Sequence, residues 1–218
     1  PLATHLTGKL KNIFLNTTVV SLEVVKNAVE VVLKGKDVPE KITVDRVLIA
    51  IGRRPNSDNI GLQNTAVIVD EHGFIAVDAQ CRTSEKKIFA IGDVSGQPML
   101  AHRAMRQGQV AAEVLAGRPS SFDNRAIPAV VFTEPEIACG GITENEAKAQ
   151  GKEVGAAKFL WSASGRAMTL AEPVGHTKVI YDPETSAVLG VGIVGPRAGE
   201  LIAEAVLAIE MGSVLEDL

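Results

Sequence analysis

One stretch limits the possible fold more than any other. An apolar run, Lys87–Ile91, stops at Gly92-Asp93 and leads through a short loop to Pro98. Such a run predicts a strand buried on both faces, and proline favours the first turn of a helix. Gly117 is then an expected C-terminal cap. Between Pro98 and Gly117, apolar residues recur in steps of four and three, which predicts a buried helix face. Its members are Ala101, Met105, Gly108, Ala112 and Leu115.

This predicted strand, turn and helix would suit a polar or anionic ligand. In open α/β sheets, ligands bind just outside the carboxyl ends of strands, where Asp93 could accept hydrogen bonds from a polyol. The positive end of the following helix could hold an atom that becomes negative during a reaction. An ordinary Gly-Asp turn beside a packing helix explains the same residues about equally well. The pattern alone leaves both interpretations open.

Composition excludes several classes of protein. The chain has 218 residues with a net charge of −4, which predicts one or two globular domains and no nucleic-acid partner. No apolar run reaches the ~20 residues that a membrane helix needs. Cys81 and Cys139 share no motif spacing, which indicates reduced, non-catalytic residues and a cytoplasmic location. No residues have metal-ligand spacing. Because the chain begins at Pro1 without methionine, we expect it to be a fragment.

The first half of the chain reads as one helix followed by short strands. Leu2–Lys11 is predicted to be an amphipathic helix. The strands are predicted at Ile13–Leu15, Val19–Val25, Ala28–Leu33, Ile42–Val44 and Val47–Ile51, with a hairpin joining Val67–Val69 to Ile75–Val77. Arg53 and Arg54 follow the fifth strand and either meet a phosphate or form a solvated loop. His72 is interpreted as a solvated residue of the hairpin turn.

From Ile127 the pattern changes to strands with helices, which is typical of an α+β domain. The strands are predicted at Ala129–Thr133, Lys158–Trp161, Thr177–Tyr181 and Ala187–Val194. Thr143–Glu146 has the form of a capping box that opens a helix. A final helix, Ala198–Met211, is expected to bury Leu201, Ile202, Ala205, Ala208 and Ile209.

Gly190–Gly195 matches the dinucleotide fingerprint, and Glu210 falls where the ribose-binding acid is expected. The context argues against that interpretation, because the apolar run continues through the glycines and Glu210 lies within a helix. A glycine-rich strand packed closely against a helix is favoured instead.

Several motifs in order strongly resemble the flavin disulfide reductases. They are Ala50–Asn56, Ala90–Val94 and Pro98–His102, continued by Ile127-Pro128, Phe132–Glu136 and Gly190–Ala208. The resemblance covers essentially all 218 residues. Within this superfamily, Met99–His102 is similar to the dihydrolipoamide dehydrogenase branch, and glutathione and mercuric reductases carry other residues there.

The resemblance implies an α/β plus α+β fold class in three parts. Residues 1–55 would be the end of a Rossmann-like NAD-binding domain, and residues 56–125 the central FAD-binding segment. Residues 126–218 would be the interface domain, through which such enzymes form homodimers by residues after about Ile127. The parent enzyme would oxidise dihydrolipoyl groups of 2-oxoacid dehydrogenase complexes, in the cytoplasm or the mitochondrial matrix, and pass electrons through a disulfide and FAD to NAD.

The resemblance also implies site residues. Asp93 would hold the FAD ribityl chain, and Met99, Leu100, Ala101 and His102 would line the isoalloxazine, with backbone N–H groups near its N1 and O2. Gly52 would approach NAD through its backbone. His102 is thereby a cofactor-wall residue and not a proton-transfer base. No residue of this chain is assigned a catalytic role.

Three family features are missing from the sequence. It has no strand-led Gly-x-Gly-x-x-Gly, no cysteine pair separated by four residues, and no His-x-His-Pro motif with its partner Glu. Thiol–disulfide chemistry requires the dithiol and its base, so we expect the isolated chain to be inactive. The alternatives are a stand-alone, non-catalytic dimerisation or binding module and a fragment of a related flavin disulfide reductase.

Overall fold

The computed structural model describes all 218 residues. The chain divides into two compact units, a small one formed by Ala3–Gly52 and a larger one formed by Arg53–Leu218 together with Pro1 and Leu2. None of the helices combines the length and the apolarity that crossing a membrane requires.

The small unit contains a three-stranded antiparallel sheet that follows the first helix of the chain. Its strands lie side by side in chain order. Only the middle strand places side chains in a core, with Val31 and Leu33 buried. These four elements confirm the predicted ones to within a few residues: helix α1 (Leu2–Lys9) and strands β1 (Thr18–Val25), β2 (Ala28–Lys34) and β3 (Lys41–Val44).

Two predicted strands of this unit are wrong. Ile13–Leu15 and Val47–Ile51 have no strand structure, and the side chains of Leu48 and Ile51 are 91% and 95% exposed. A buried strand needs neighbours that complete its hydrogen-bond ladder and cover both faces. No strand of this chain pairs with either run. Both runs have an apolar sequence but do not form strands.

The larger unit begins with a loop-rich segment that also departs from the prediction. The Val67–Val77 hairpin is reduced to one antiparallel bridge between Val69 and Ile75. The expected strand at Lys87–Ile91 is wrong in the same way, because only Phe89 pairs, in an isolated bridge with Arg82. Ala90 is buried but Ile91 is 41% exposed. The run is therefore covered on one side only.

Helix α2 (Ala101–Leu115) follows and begins three residues later than Pro98 suggested. It ends as predicted around Gly117, which adopts the left-handed φ of +78°. The Gly117 N–H donates to Val114 O at 3.0 Å and the Arg118 N–H donates to Glu113 O at 2.9 Å. This pair of bonds is the Schellman arrangement, which satisfies carbonyls that the helix end would otherwise leave unpaired.

The predicted buried face of α2 is wrong. Met105 and Leu115 are 67% and 70% exposed, and the helix buries the opposite side instead. That side packs on a cluster around Cys81, with Phe89 and Phe122 at its edge. The buried residues of the helix are Arg103, Gln107, Val110, Ala111 and Val114. Apolar spacing missed this face because two of its members are polar.

The rest of the larger unit is a five-stranded antiparallel sheet in the order β4-β5-β8-β7-β6. Strand β5, which ends in two glycines, was not predicted from the sequence, although it lies inside the sheet between β4 and β8. Glycine is depleted in strands, so its presence weakened the strand signal. The strands are β4 (Ala129–Val131), β5 (Glu136–Gly141), β6 (Gly155–Leu160), β7 (His176–Tyr181) and β8 (Val188–Gly195).

Three helices accompany this sheet: α3 (Glu144–Ala149), α4 (Gly165–Thr169) and α5 (Ala198–Met211). The capping box at α3 is confirmed, since Thr143 and Glu146 exchange side-chain and backbone hydrogen bonds. Helix α5 covers the sheet and buries Ile202 at the centre of the main core. The prediction for its buried face holds except at Leu201, which is 47% exposed.

The glycine-rich segment Gly190–Gly195 belongs to strand β8 and is no nucleotide loop. A Cβ on Gly190 would lie 2.0 Å from the backbone O of Ile142. The expected glycine-rich strand packed against a helix is confirmed, since Val191 and Ile193 of β8 share a core with Ile202 of α5, while the closest approach at Gly190 itself is to neighbouring backbone. Glu210 accepts a hydrogen bond from the Ala126 N–H at 2.9 Å and another from Asn124. Its carboxylate fastens α5 to the segment before β4.

The corrected face of α2 gives a direct test. Val110→Ala removes two methyl groups from a fully buried site and should lower the free energy of unfolding by about 2 kcal/mol. Met105→Ala, on the face that the spacing favoured, should change it by less than about 0.5 kcal/mol. Urea denaturation of the two variants measures both effects. The reverse ranking would show that the spacing identified the buried face after all.

Candidate functional site

Asp93 lies on a short 3₁₀ turn, Gly92–Ser95, directly before helix α2. The turn packs on the helix, since a Cβ on Gly92 would lie 3.0 Å from the Cβ of Ala104. Gly92 also has a φ of +72°, a conformation that other residues rarely adopt. Space and backbone conformation both require glycine at this position, immediately before the carboxylate.

Hydrogen bonds hold this turn from two sides. The Ile75 N–H donates to Val94 O at 2.8 Å, which ties the turn to the preceding hairpin. On the helix side, the Gly92 N–H donates to Gln107 Oε1 at 2.7 Å. Arg103 Nη1 donates to the carbonyl oxygens of Gly92 at 3.2 Å and Gly96 at 2.9 Å. The backbone around Asp93 is therefore fixed by side chains of α2.

Arg103 is a buried cation with no carboxylate bonded to it. Its guanidinium lies 5.9 Å from the centre of the Phe122 ring, within the range of a cation–π contact. Burial lowers the pKa of Arg103, while the thiol of Cys81 and the carboxylate of Asp93 oppose that shift. An arginine side chain nevertheless stays protonated. A fixed positive charge thus lies within the electrostatic reach of Asp93.

The carboxylate of Asp93 is half-exposed and makes one ion pair. Arg53 Nη1 donates to Asp93 Oδ2 at 2.9 Å, and the side chain of Arg53 is 69% exposed. The sequence left Arg53 as a phosphate ligand or a solvated residue, and the structure pairs it with this carboxylate. An exposed ion pair contributes about 0–1 kcal/mol. Asp93 can therefore exchange Arg53 for another partner at little energetic cost.

Two of the predicted ring-binding residues open α2, and the other two directly precede it. Met99 and Leu100 are half-buried, and Ala101 and His102 are exposed. No side chain caps this helix end and no acidic residue lies in its first turn. The first-turn N–H groups and the positive helix end are therefore available to an electron-rich ligand atom. The helix and the Asp93 turn are successive elements that pack on each other, with Gly92 against Ala104.

Gly52 and His72 are exposed residues outside the helices and strands. Gly52 lies in the small unit with a φ of +112° and open space around its Cα. His72 is exposed, with Nε2 at 3.6 Å from Glu71 Oε1 in the hairpin turn, as expected of a turn residue. Neither residue has a contact that assigns it a function.

The two cysteines are unpaired. Cys81 is fully buried, and its Sγ lies 3.7 Å from Gln107 O. Burial raises the pKa of this thiol, and Asp78 raises it further, while Arg103 acts in the opposite direction. No group of three or more His, Cys, Asp and Glu side chains is placed to hold a metal ion.

Arg103 and Gln107 are the site residues that sequence reasoning missed. They are four residues apart on α2, so they lie on the same face as Val110 and Val114. A search for apolar positions passed over them because polar side chains are expected on the solvent side. The only sequence signal for their burial was the helical spacing that places both residues on one face with Val110, Ala111 and Val114.

Two family models match the chain. Residues 5–108 match the model described as pyridine nucleotide-disulphide oxidoreductase. Residues 127–218 match the model of the pyridine nucleotide-disulphide oxidoreductase dimerisation domain. The two matches follow each other in the order that the resemblance predicted.

Curated relatives carry the name dihydrolipoyl dehydrogenase. The chain is 47% identical over 208 residues to the protein of Vibrio cholerae, covering 95% of this chain and 44% of that protein. It is 52% identical over 179 residues to the protein of Thermus scotoductus, covering 82% of this chain and 39% of that one. The chain therefore spans less than half the length of these relatives.

Two solved structures have the same fold. LpdA from Mycobacterium tuberculosis aligns with a TM-score of 0.88 at 26% identity, covering 98% of this chain and 46% of that chain. The HOCl-induced flavoprotein disulfide reductase RclA from Escherichia coli aligns with a TM-score of 0.86 at 27% identity, covering 97% and 48%. The predicted resemblance and fold class are confirmed.

The two thiols should differ sharply in reactivity. Only an accessible thiolate attacks a disulfide reagent. Burial raises the pKa of both thiols, but the side chain of Cys81 is fully buried whereas Cys139 is exposed. Ellman's reagent should therefore label one thiol of the folded chain quickly and the second only in denaturant. Cys139→Ser should abolish the fast reaction and Cys81→Ser should leave it intact. Fast labelling of Cys139→Ser would contradict the burial of Cys81.

Proposed function

The chain belongs to the pyridine nucleotide-disulphide oxidoreductase family, and on that premise we propose that it is the carboxyl-side part of a dihydrolipoamide dehydrogenase. Such an enzyme oxidises dihydrolipoyl groups and passes the electrons through a disulfide and FAD to NAD. The names of the curated relatives support this substrate class. The observation that carries the proposal is the Asp93 turn packed against the uncapped start of α2.

The residues of this turn and helix fit one part of a flavin. Asp93 has a half-exposed carboxylate that can accept hydrogen bonds from the ribityl hydroxyls. Met99 and Leu100 offer only their half-buried side chains to the isoalloxazine, since their N–H groups already donate to Gln97 Oε1 and Pro98 O. Ala101 and His102 offer exposed side chains and first-turn backbone N–H groups. FAD supplies the electron-accepting chemistry when it is bound. The N-terminus of α2 stabilises negative charge near N1 and O2 of the ring because its N–H groups are already oriented.

His102 has no role in proton transfer in this proposal. Its side chain is exposed, and no ion pair or side-chain hydrogen bond orients it. A general base needs a fixed position within hydrogen-bond reach of the proton that it accepts. His102 contributes its backbone to the flavin wall.

The NAD contact and the partner complex extend the proposal. Gly52 has a positive φ and open space at its Cα, which would let a nucleotide approach the backbone closely. The natural reductants would be lipoyl groups on 2-oxoacid dehydrogenase components, located with the enzyme in the cytoplasm or the mitochondrial matrix. Because the cysteine pair, the glycine-rich loops and the His-Glu base are absent from these 218 residues, the chain alone should not catalyse the reaction.

A chimera tests the function. In it, this chain replaces the segment of the Vibrio cholerae relative that it matches over 208 residues, so that the relative supplies the remaining parts. The chimera should bind FAD, turn yellow and reduce NAD with dihydrolipoamide. The isolated chain should stay colourless at equimolar FAD and show no activity, because most contacts to the cofactor are missing. Absorbance at 450 nm and NADH formation measure the two properties.

The carboxylate provides the specific readout within that chimera. Asp93→Ala should raise the Kd for FAD by about tenfold, the effect of losing a hydrogen bond to a charged acceptor of about 1.5 kcal/mol. Asp58→Ala removes an exposed carboxylate outside the turn and serves as the matched control. Equal affinities of the two variants would contradict the role of Asp93. A chimera without flavin or activity whose isolated chain still dimerises would favour the non-catalytic module.

The same family assignment implies a homodimer formed by residues after about Ile127. The dimerisation-domain match covers residues 127–218, and this segment exposes apolar side chains on one helix, α5. Leu207 is 61% exposed and Met211 is 74% exposed. Clustered apolar surface of this kind is typical of protein–protein contacts.

Sedimentation of the isolated chain tests this interface. The wild-type chain should sediment as a dimer at micromolar concentration, and Leu207→Glu should weaken association at least tenfold by placing a charge in the contact. Leu115→Glu is the matched control, since that leucine is equally exposed, at 70%, but lies on α2 outside the segment. A wild-type monomer at high concentration, or equal weakening by both variants, would contradict the predicted interface.

A further inference from the structure

Two polar side chains are buried beneath the Asp93 turn. Arg103 is 9% exposed and Gln107 is 2% exposed. They lie one helical turn apart on α2 and are surrounded by the apolar cluster of Cys81, Val110, Ala111 and Val114. Burying a polar group is unfavourable unless hydrogen bonds replace those it made with water. Their bonds therefore indicate what these residues do.

The hydrogen bonds of both side chains converge on one short segment, Gly92–Gly96. Gln107 accepts the Gly92 N–H at 2.7 Å, and Ser95 Oγ lies 3.2 Å from the same oxygen. Arg103 donates to Gly92 O and to Gly96 O. Both backbone groups of Gly92 are thus bonded to α2 side chains, and Gly92 is the residue before Asp93. The position from which the Asp93 side chain leaves the backbone is fixed by the helix.

This arrangement couples the two halves of the proposed flavin site. Residues at the start of α2 would face the ring, and Arg103 and Gln107 further along the helix hold the turn that carries Asp93. One rigid helix therefore sets the position of the carboxylate relative to its own N–H groups. A cofactor that contacts both at once binds more tightly when their relative position is set beforehand.

We propose that Arg103 and Gln107 are positioning residues of the flavin site, which hold the Gly92–Gly96 backbone so that Asp93 is presented to the ribityl chain. They act through the backbone of the turn and need not touch the cofactor. This inference rests on the proposed FAD site. It adds two residues to the site residues that the family resemblance implies.

Flavin affinity of the chimera described above gives the first test. Gln107→Leu keeps the size of the side chain but removes the acceptor, and should raise the Kd for FAD by about fivefold, since a lost hydrogen bond is worth about 1 kcal/mol. Gln107→Glu retains the acceptor oxygen next to Arg103 and should restore the affinity to within about twofold. Gln109→Leu, on the exposed side of the same helix, should leave it unchanged.

Arg103 is tested in parallel. Arg103→Met keeps the length of the side chain without donors and should weaken FAD binding by about tenfold, whereas Arg103→Lys keeps one cationic donor and should recover part of the loss. Arg118→Met removes an exposed arginine just beyond the helix and is the control. A purely structural role would lower stability in all core variants, without rescue of affinity by Glu and Lys.

Hydrogen exchange of the isolated 218-residue chain gives a second measurement that needs no cofactor. The Gly92 amide should exchange about tenfold faster in Gln107→Leu than in the wild type, because its acceptor is gone. Amides of strand β8 in the same protein should keep their wild-type rates. Unchanged exchange at Gly92 would overturn the proposal even if the chimera failed to fold.

The two proposals fail in distinguishable ways. A wild-type chimera that binds no FAD, combined with faster Gly92 exchange in Gln107→Leu, would remove the flavin site and with it the positioning role. A wild-type chimera that binds FAD tightly, combined with unchanged affinity in Gln107→Leu and Arg103→Met, would overturn the positioning role alone. Parallel losses that Glu and Lys rescue would support both.

Discussion

The hydrogen bond from the Gly92 N–H to Gln107 is the contact on which the candidate site depends. It is short, 2.7 Å, and buried, so its loss would leave a buried donor unpaired at a cost of about 1–3 kcal/mol. Arg103 supports the same backbone through two carbonyls. Together these bonds make the Asp93 turn an extension of helix α2, and they give an exposed carboxylate a defined position.

The same helix connects this site to the rest of the larger unit. Arg106 Nε donates to Asn124 Oδ1 at 3.2 Å, and Asn124 in turn donates to Glu210 of α5. Helix α5 packs on the five-stranded sheet through Ile202 and its neighbours. Polar contacts on one side of α2 thus hold the turn, and those on another side hold the α+β segment that matches the dimerisation domain. The position of the Asp93 turn at the candidate flavin site therefore depends on helix α2, which is also bonded to the α+β segment.

The sequence predicted those features that local chemistry decides. The capping box at Thr143 and the glycine end of α2 formed as expected, because their bonds lie within a few residues. The run Val47–Ile51 did not become a strand, because a ladder needs a partner that this chain does not supply. The run Lys87–Ile91 has a short partner segment around Arg82, but forms only a single bridge with it. The buried face of α2 was missed because Arg103 and Gln107 find acceptors and donors only after the turn has folded against them. Motif order, in contrast, identified the family correctly.

The Asp93 carboxylate has one partner in this structure, Arg53, and a second one in the proposed flavin complex. In the chain described here it pairs with Arg53 at 2.9 Å, in an exposed contact that is easily exchanged. We propose that a ribityl hydroxyl takes the place of Arg53 when FAD binds. The crystal structure of the flavin-loaded chimera tests this most directly. It should show the Asp93 carboxylate within hydrogen-bond distance of the ribityl chain and the ring at the start of α2. A flavin bound away from both would contradict the account.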